Sequence, residues 1–102
     1  MSKIYISGKI TGIENFAELF QDAENYLLSK GYEVVNPVKL NHDHDKTWES
    51  YMKEDLKALL DCDEIYLLEN HYKSKGAIIE KAIAIELGIK TTYQPSRNNV
   101  IV

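Results

Sequence analysis

One cysteine, two prolines and one tryptophan stand among 102 residues, and each scarcity closes a class of explanation. A lone cysteine, Cys62, can form no internal disulfide, and it fits a reducing compartment. Basic runs are missing, and the formal net charge is −4, so a nucleic-acid polymer is not an expected partner. The longest apolar runs are far too short to cross a bilayer, and no membrane is expected. Met1-Ser2-Lys3 leads straight into a strand-like run rather than a secretory leader, so a cytoplasmic location is expected. Repeats, linkers and low-complexity stretches are lacking too. Residues 1–102 therefore read as a single domain with a modest core.

What remains alternates. Lys3-Ile4-Tyr5-Ile6-Ser7 is β-rich and ends at Gly8, and further strands are expected near 32–36, 63–68 and 89–93, with Val100-Ile101-Val102 as a short fifth. Phe16, Leu19, Phe20, Ala23 and Leu27 form one clean apolar stripe after a capping-box-like start at Asn15 and Glu18. Thr47 is expected to cap a helix over 48–60, whose buried side is Trp48, Tyr51, Met52, Leu56 and Leu59. Ser74 is expected to cap a third helix that Gly88 ends. Strands alternating with helices predict an α/β, flavodoxin- or Rossmann-like three-layer sandwich with a parallel sheet of four or five strands. Ligands of such sheets bind beyond the carboxyl ends of the strands, where the loops 8–12 and 69–74 fall.

Two acids contradict this pattern. Glu80 shares a stripe with Gly76, Ile83, Ala84 and Leu87, while Lys75 and Glu86 occupy the water-facing side. Asp55 sits at the centre of the apolar side of its helix. A carboxylate in a core-facing stripe is expensive unless it is paired, hydrogen-bonded or needed for chemistry. A partly desolvated carboxylate can serve as nucleophile or general base, or it can be a structural group bonded to a neighbouring backbone or tyrosine. Asp63, at a strand start, reads as structural, with a second role near the site left open. Tyr5 offers either a hydroxyl at the sheet edge or an ordinary core ring.

Gly8-Lys9-Ile10-Thr11-Gly12 lacks both the G-K-[ST] ending and the G-x-G-x-x-G spacing of phosphate loops. It reads instead as a tight turn that lets a ligand approach the backbone. His42-Asp43-His44-Asp45 has metal-binding residue types but no partner cluster, so neither a metal nor a cofactor is expected. The helix over 77–87 is apolar around most of its circumference. It or the helix over 48–60 is expected to form a homodimer or higher homo-oligomer.

Lys3-Ile4-Tyr5-Ile6-Ser7-Gly8 with Ile10 and Gly12, Asp55-Leu56, Cys62-Asp63 and Ser74-x-Gly76-x-x-x-Glu80 together resemble the nucleoside 2-deoxyribosyltransferase family. That family includes relatives that hydrolyse 2′-deoxynucleoside 5′-phosphates. Asn36-Pro37 and Trp48-x-x-Tyr51-Met52 narrow the likeness to a small bacterial and phage deoxyribosyltransferase-like group. The resemblance implies a nucleoside or nucleotide partner and cleavage or transfer at its N-glycosidic bond, with Glu80 as nucleophile and Asp55 and Tyr5 beside it. It implies substrate contacts from Ser7, Gly8, Ile10, Gly12, Asp63, Ser74 and Gly76. A neighbouring subunit's Asn98 or Asn99 would complete the 5′ end. The alternative is a module that binds a nucleotide-like metabolite in the same pocket without turning it over.

Overall fold

Alternate side chains of β1 (Lys3–Ser7) leave opposite faces of the strand, and this period of two sorts the whole core. Ile4 and Ile6 pack with Phe20, Ala23, Leu27, Tyr66 and Leu68 beneath α1 (Phe16–Ser29). Tyr5 goes the other way, into a cluster with Leu59, Cys62, Ile65, Leu67 and Ala84 beneath α2 (Trp48–Leu60) and α3 (Lys75–Glu86). The computed structural model describes residues 2–42 and 44–95 and forms a three-layer α/β sandwich. Its sheet runs β2-β1-β3-β4, with every pairing parallel. The other strands are β2 (Glu33–Val35), β3 (Glu64–Leu67) and β4 (Lys90–Tyr93), each inside its expected span. The expected fifth strand at 100–102 lies outside the described residues. Among the described residues, no helix is long and apolar enough to cross a membrane.

The helix boundaries follow local chemistry. Thr47 Oγ1 accepts from Ser50 N at 3.1 Å and Ser74 Oγ accepts from Ala77 N at 3.1 Å, so α2 and α3 start where expected. α1 departs from expectation, because Asn15 makes no side-chain cap bond and Leu19 N bonds to the Asn15 carbonyl instead. α1 and α3 both end on a left-handed glycine, Gly31 and Gly88. The next residue's amide reaches back to Leu27 and Ala84 respectively, which satisfies the last helical carbonyls. Leu87, expected beside Glu80 in the buried stripe, is instead 60% exposed, because α3 has ended by that point.

Gly8 closes β1 against Leu68, whose amide bonds to the Ser7 carbonyl at 2.8 Å. A Cβ on Gly8 would lie 2.6 Å from Leu68 Cδ1 and 2.9 Å from its Cβ, too near for the side-chain end alone to yield. Gly8→Ala is therefore expected to destabilise the fold by about 1–3 kcal/mol, the range for overpacking a filled core. Urea denaturation of wild type and variant measures this, and equal midpoints would contradict the packing account.

Candidate active site

Tyr5 and Ser7, two residues apart on β1, share the sheet face that α3 covers. On α3 the buried stripe is Ala77, Glu80 and Ala84, and the two small alanines let the helix lie close to the strand. Glu80 is thereby pressed onto that face and is only 5% exposed. The Tyr5 hydroxyl donates to Glu80 Oε2 at 2.8 Å, and Ser7 Oγ donates to Oε1 at 2.6 Å. Both carboxylate oxygens are thus held by β1. Burial pushes Glu80 up to about 7, the Ser7 and Tyr5 bonds pull it down, and the nearby charge of Asp55 raises it further. Burial also pushes the Tyr5 phenol well above its ordinary value, with the Glu80 charge adding to it, so the phenol stays a donor.

Glu80 lies on the wall of a cavity of about 770 Å³ at the carboxyl ends of β1 and β3, a size suited to a small molecule. Parallel strands followed by returning helices place the first turns of α1, α2 and α3 at this edge. From α2 come Trp48, Tyr51, Met52 and Asp55, spaced as one helix face. Asp55 Oδ1 is buried and has no hydrogen-bond partner among the described residues. Burial pushes Asp55 up to about 6, His42 counteracts this, and Glu54 adds to it. Lys9, Lys73 and Lys75 also line the cavity. The loop after β1 is tied to the loop after β3 where Asn70 Oδ1 accepts from Lys9 N at 2.9 Å.

The structure gathers Tyr5, Ser7, Gly8, Ile10, Asp55, Ser74, Gly76 and Glu80 around one cavity. Tyr5 is both things the sequence allowed, a fully buried core ring and a hydroxyl at the site. Gly12 and Asp63 do not line it. Gly12 has φ +80 with open space around it, so it serves the turn and not the wall. Asp63 precedes β3 at the amino edge of the sheet, where its Oδ2 accepts from Lys3 N at 3.0 Å. A strand start in a parallel sheet lies at the edge away from the ligand, which is why Asp63 falls outside the site. Asn98 and Asn99 lie outside the described residues.

Several wall residues went unrecognised in the sequence. His42 was considered only for a metal, yet it lines the cavity, with Nε2 3.1 Å from the Pro37 carbonyl oxygen. Trp48 and Tyr51 were assigned to the core but are 42% and 37% exposed. The signal was available, since the first turn of a helix following a parallel strand lies at the ligand edge. Among the described residues, no group of three or more His, Cys, Asp or Glu is placed to hold a metal ion.

Residues 2–93 match the model of a family described as a domain of unknown function, DUF4406. The chain belongs to that family. A comparison with curated proteins finds no match. Among solved structures, the DUF4406 chain superimposes on the 2-deoxyribosyltransferase of the psychrotolerant bacterium Bacillus psychrosaccharolyticus with a TM-score of 0.73. Identity is 21%, and the overlap covers 99% of this chain and 77% of that one. That protein is described as a biocatalyst for the industrial synthesis of antiviral and antitumoral nucleosides. The likeness is one of fold, and it agrees with the deoxyribosyltransferase-like architecture that the sequence resemblance implies.

The raised Glu80 and Asp55 values make the stability of this DUF4406 domain depend on pH. A carboxyl whose folded value lies above its unfolded one stabilises fully below the unfolded value and loses that contribution as pH rises through the folded one. For Glu80 the window runs from 4.5 to about 7, and for Asp55 from 3.8 to about 6. The Glu80 share is roughly 3 kcal/mol, at about 1.4 kcal/mol per unit. Urea midpoints are expected to fall from pH 5 to pH 8 in the wild type and to fall much less in Glu80→Gln. A wild-type midpoint that rises over this range would refute the buried, unpaid ionisation.

Proposed function

We propose that this DUF4406 domain cleaves or transfers at the N-glycosidic bond of a deoxynucleoside or nucleotide, with Glu80 as the nucleophile. One observation carries the reading: a buried carboxylate, gripped at both oxygens by β1, faces a ligand-sized cavity alongside a second carboxyl with an unpartnered oxygen. The superposed fold belongs to a 2-deoxyribosyltransferase, which favours sugar–base chemistry over other uses of two acids.

The steps balance as a retaining displacement. One Glu80 oxygen bonds to the anomeric carbon while the carbon–nitrogen bond breaks, and the departing base takes a proton from Asp55. Water, giving its proton to Asp55, then displaces Glu80 and completes hydrolysis. A second base in place of water gives transfer. Positive charge develops on the sugar ring in both halves, and a poorly solvated carboxylate held beside it stabilises that charge strongly. Tyr5 and Ser7 keep the carboxylate from rotating away. Lys9, Lys73 and Lys75 on the wall suit a substrate bearing a 5′-phosphate.

Ile78 and Ile85 on α3, with Leu87 just beyond its end, are exposed, which supports a homo-oligomer built on that helix. Light scattering at micromolar concentration is expected to give at least a dimer, and Ile85→Glu is expected to weaken it.

Incubation with a panel of nucleosides and nucleotides, with and without an added base, tests the reaction. Free base signals hydrolysis, and a new nucleoside signals transfer. Glu80→Gln is expected to lower turnover by about a thousandfold or more, with the fold and ligand binding kept. Asp55→Asn is expected to lower kcat by about a hundredfold, the scale of a lost general acid. Wild-type kcat/KM is expected to be bell-shaped around pH 6 to 7, because the productive form has Glu80 ionised and Asp55 still protonated. In Asp55→Asn the falling limb is expected to disappear, because the acid whose ionisation sets it has gone. Near wild-type turnover in Glu80→Gln would overturn the nucleophile assignment. Tight nucleotide binding with no product in any reaction would favour a binding module.

A further inference from the structure

The motif Trp48-x-x-Tyr51 is left without a task by the chemistry above, yet both of its rings line the cavity. Trp48, Tyr51, Met52 and Asp55 follow one another at helical spacing along a single face of α2, and all four line the cavity. Met52 is packed away, whereas Trp48 and Tyr51 remain 42% and 37% exposed. Two large rings left accessible on the wall of a concave site are an unusual use of apolar surface, which burial would otherwise favour.

These rings are also held in place. Trp48 is the first residue of α2, directly after the Thr47 cap, and Asp45 Oδ1 accepts from Thr47 N at 3.2 Å and from its hydroxyl at 3.0 Å. Lys75 Nζ stands 4.5 Å from the Trp48 ring centre, a cation–π contact that ties the indole to the start of α3. The Tyr51 ring packs 4.7 Å from His42 and 4.5 Å from His44, nearly perpendicular to the latter. Aromatic surface that is already ordered loses little freedom when a ligand covers it. The loop 8–12 contributes Gly8, Lys9, Ile10 and Thr11 to the cavity and no aromatic ring.

We propose that Trp48 and Tyr51 form the base-recognition platform of this cavity, taking the planar heteroaromatic leaving group of the substrate by stacking. The proposal rests on the N-glycosidic reading of the site and adds where the base sits. Asp55 lies one turn beyond Tyr51, about 6 Å along the helix axis. A base stacked on the platform therefore turns its edge towards the unpartnered Asp55 oxygen and its glycosidic bond towards Glu80. Stacking is tolerant of base identity, so the platform sets a preference for planar rings and leaves the choice among bases to edge contacts.

Trp48 is the single tryptophan beside seven tyrosines, so emission excited selectively in the indole band reports on this platform. The probes are the four deoxynucleoside 5′-monophosphates, with 2-deoxyribose 5-phosphate as the base-free control. They are titrated into Glu80→Gln, where turnover is blocked. At least one nucleotide is expected to change the emission saturably and clearly more than the sugar phosphate, whose phosphate reaches only Lys75 beside the ring. In turnover assays Trp48→Leu is expected to raise KM about tenfold or more with a smaller change in kcat, and Trp48→Phe to recover most of the loss. Should Trp48→Leu fail to fold, Tyr51→Leu read with a fluorescent 2-aminopurine deoxynucleotide makes the same test. Equal responses to nucleotide and sugar phosphate, or an unchanged KM in Trp48→Leu, would overturn the proposal. Turnover with unchanged KM in Trp48→Leu removes the platform and leaves the reaction standing. Base-dependent quenching without turnover in the wild type removes the reaction and leaves the platform standing.

Discussion

A carboxylate pressed between a helix and a sheet is the constraint on which the rest of this molecule depends. Glu80 has almost no contact with water, and an ionised group in that position loses hydration that protein dipoles only partly restore. Two hydroxyls from one strand face supply what is restored, one to each oxygen. They can do so only because β1 alternates, because Ala77 and Ala84 let α3 approach, and because Gly8 allows β1 to end tight against Leu68. Each of these is a packing condition, yet together they fix an electrostatic outcome. The carboxyl sits near neutrality instead of near 4.5.

The two edges of the sheet show how differently the same residue types can be used. At the amino edge Lys3 is paired with Asp61 at 2.7 Å, and its backbone amide donates to Asp63. Those acids sit among donors close to solvent, and the Lys3 bond holds Asp61 below its ordinary carboxylate range. At the carboxyl edge Asp55 and Glu80 are shielded from water and pushed the other way. Charge alone does not mark a site. The direction of the shift separates acids paired close to solvent from acids held away from it.

The same physics explains what could be read from the sequence. Periodicity, caps and terminal glycines made the four strands and three helices legible, since each is a local signal. Glu80 and Asp55 were legible because an acid in an apolar stripe is a contradiction that needs a reason. Trp48 and Tyr51 raised no contradiction. An aromatic in an apolar stripe fits a core as well as a cavity wall, and only the packing of α2 separates the two. His42 is placed by a loop, whose path leaves no periodic trace. Asp63 reads as structural from its place at a strand start, and the structure agrees with that, whereas the resemblance alone puts it among the substrate contacts. Asn15 had the residue type of a cap, but its side chain was not used, which no local pattern reveals.

In the proposed reaction the two acids cannot be assigned roles independently. Glu80 must be ionised to attack and Asp55 protonated to release the base, yet Glu80 stands near 7 and Asp55 near 6. Burial raises both, so near neutral pH the pair can hold a single proton between the two acids. The productive arrangement is the one that keeps this proton on Asp55. A base lying against Asp55 gives that proton an acceptor, and positive charge growing on the sugar favours the ionised Glu80. Both effects act in the same direction and arise only with substrate in place. In the proposed reaction the substrate itself therefore helps to set which of the two raised acids holds the proton.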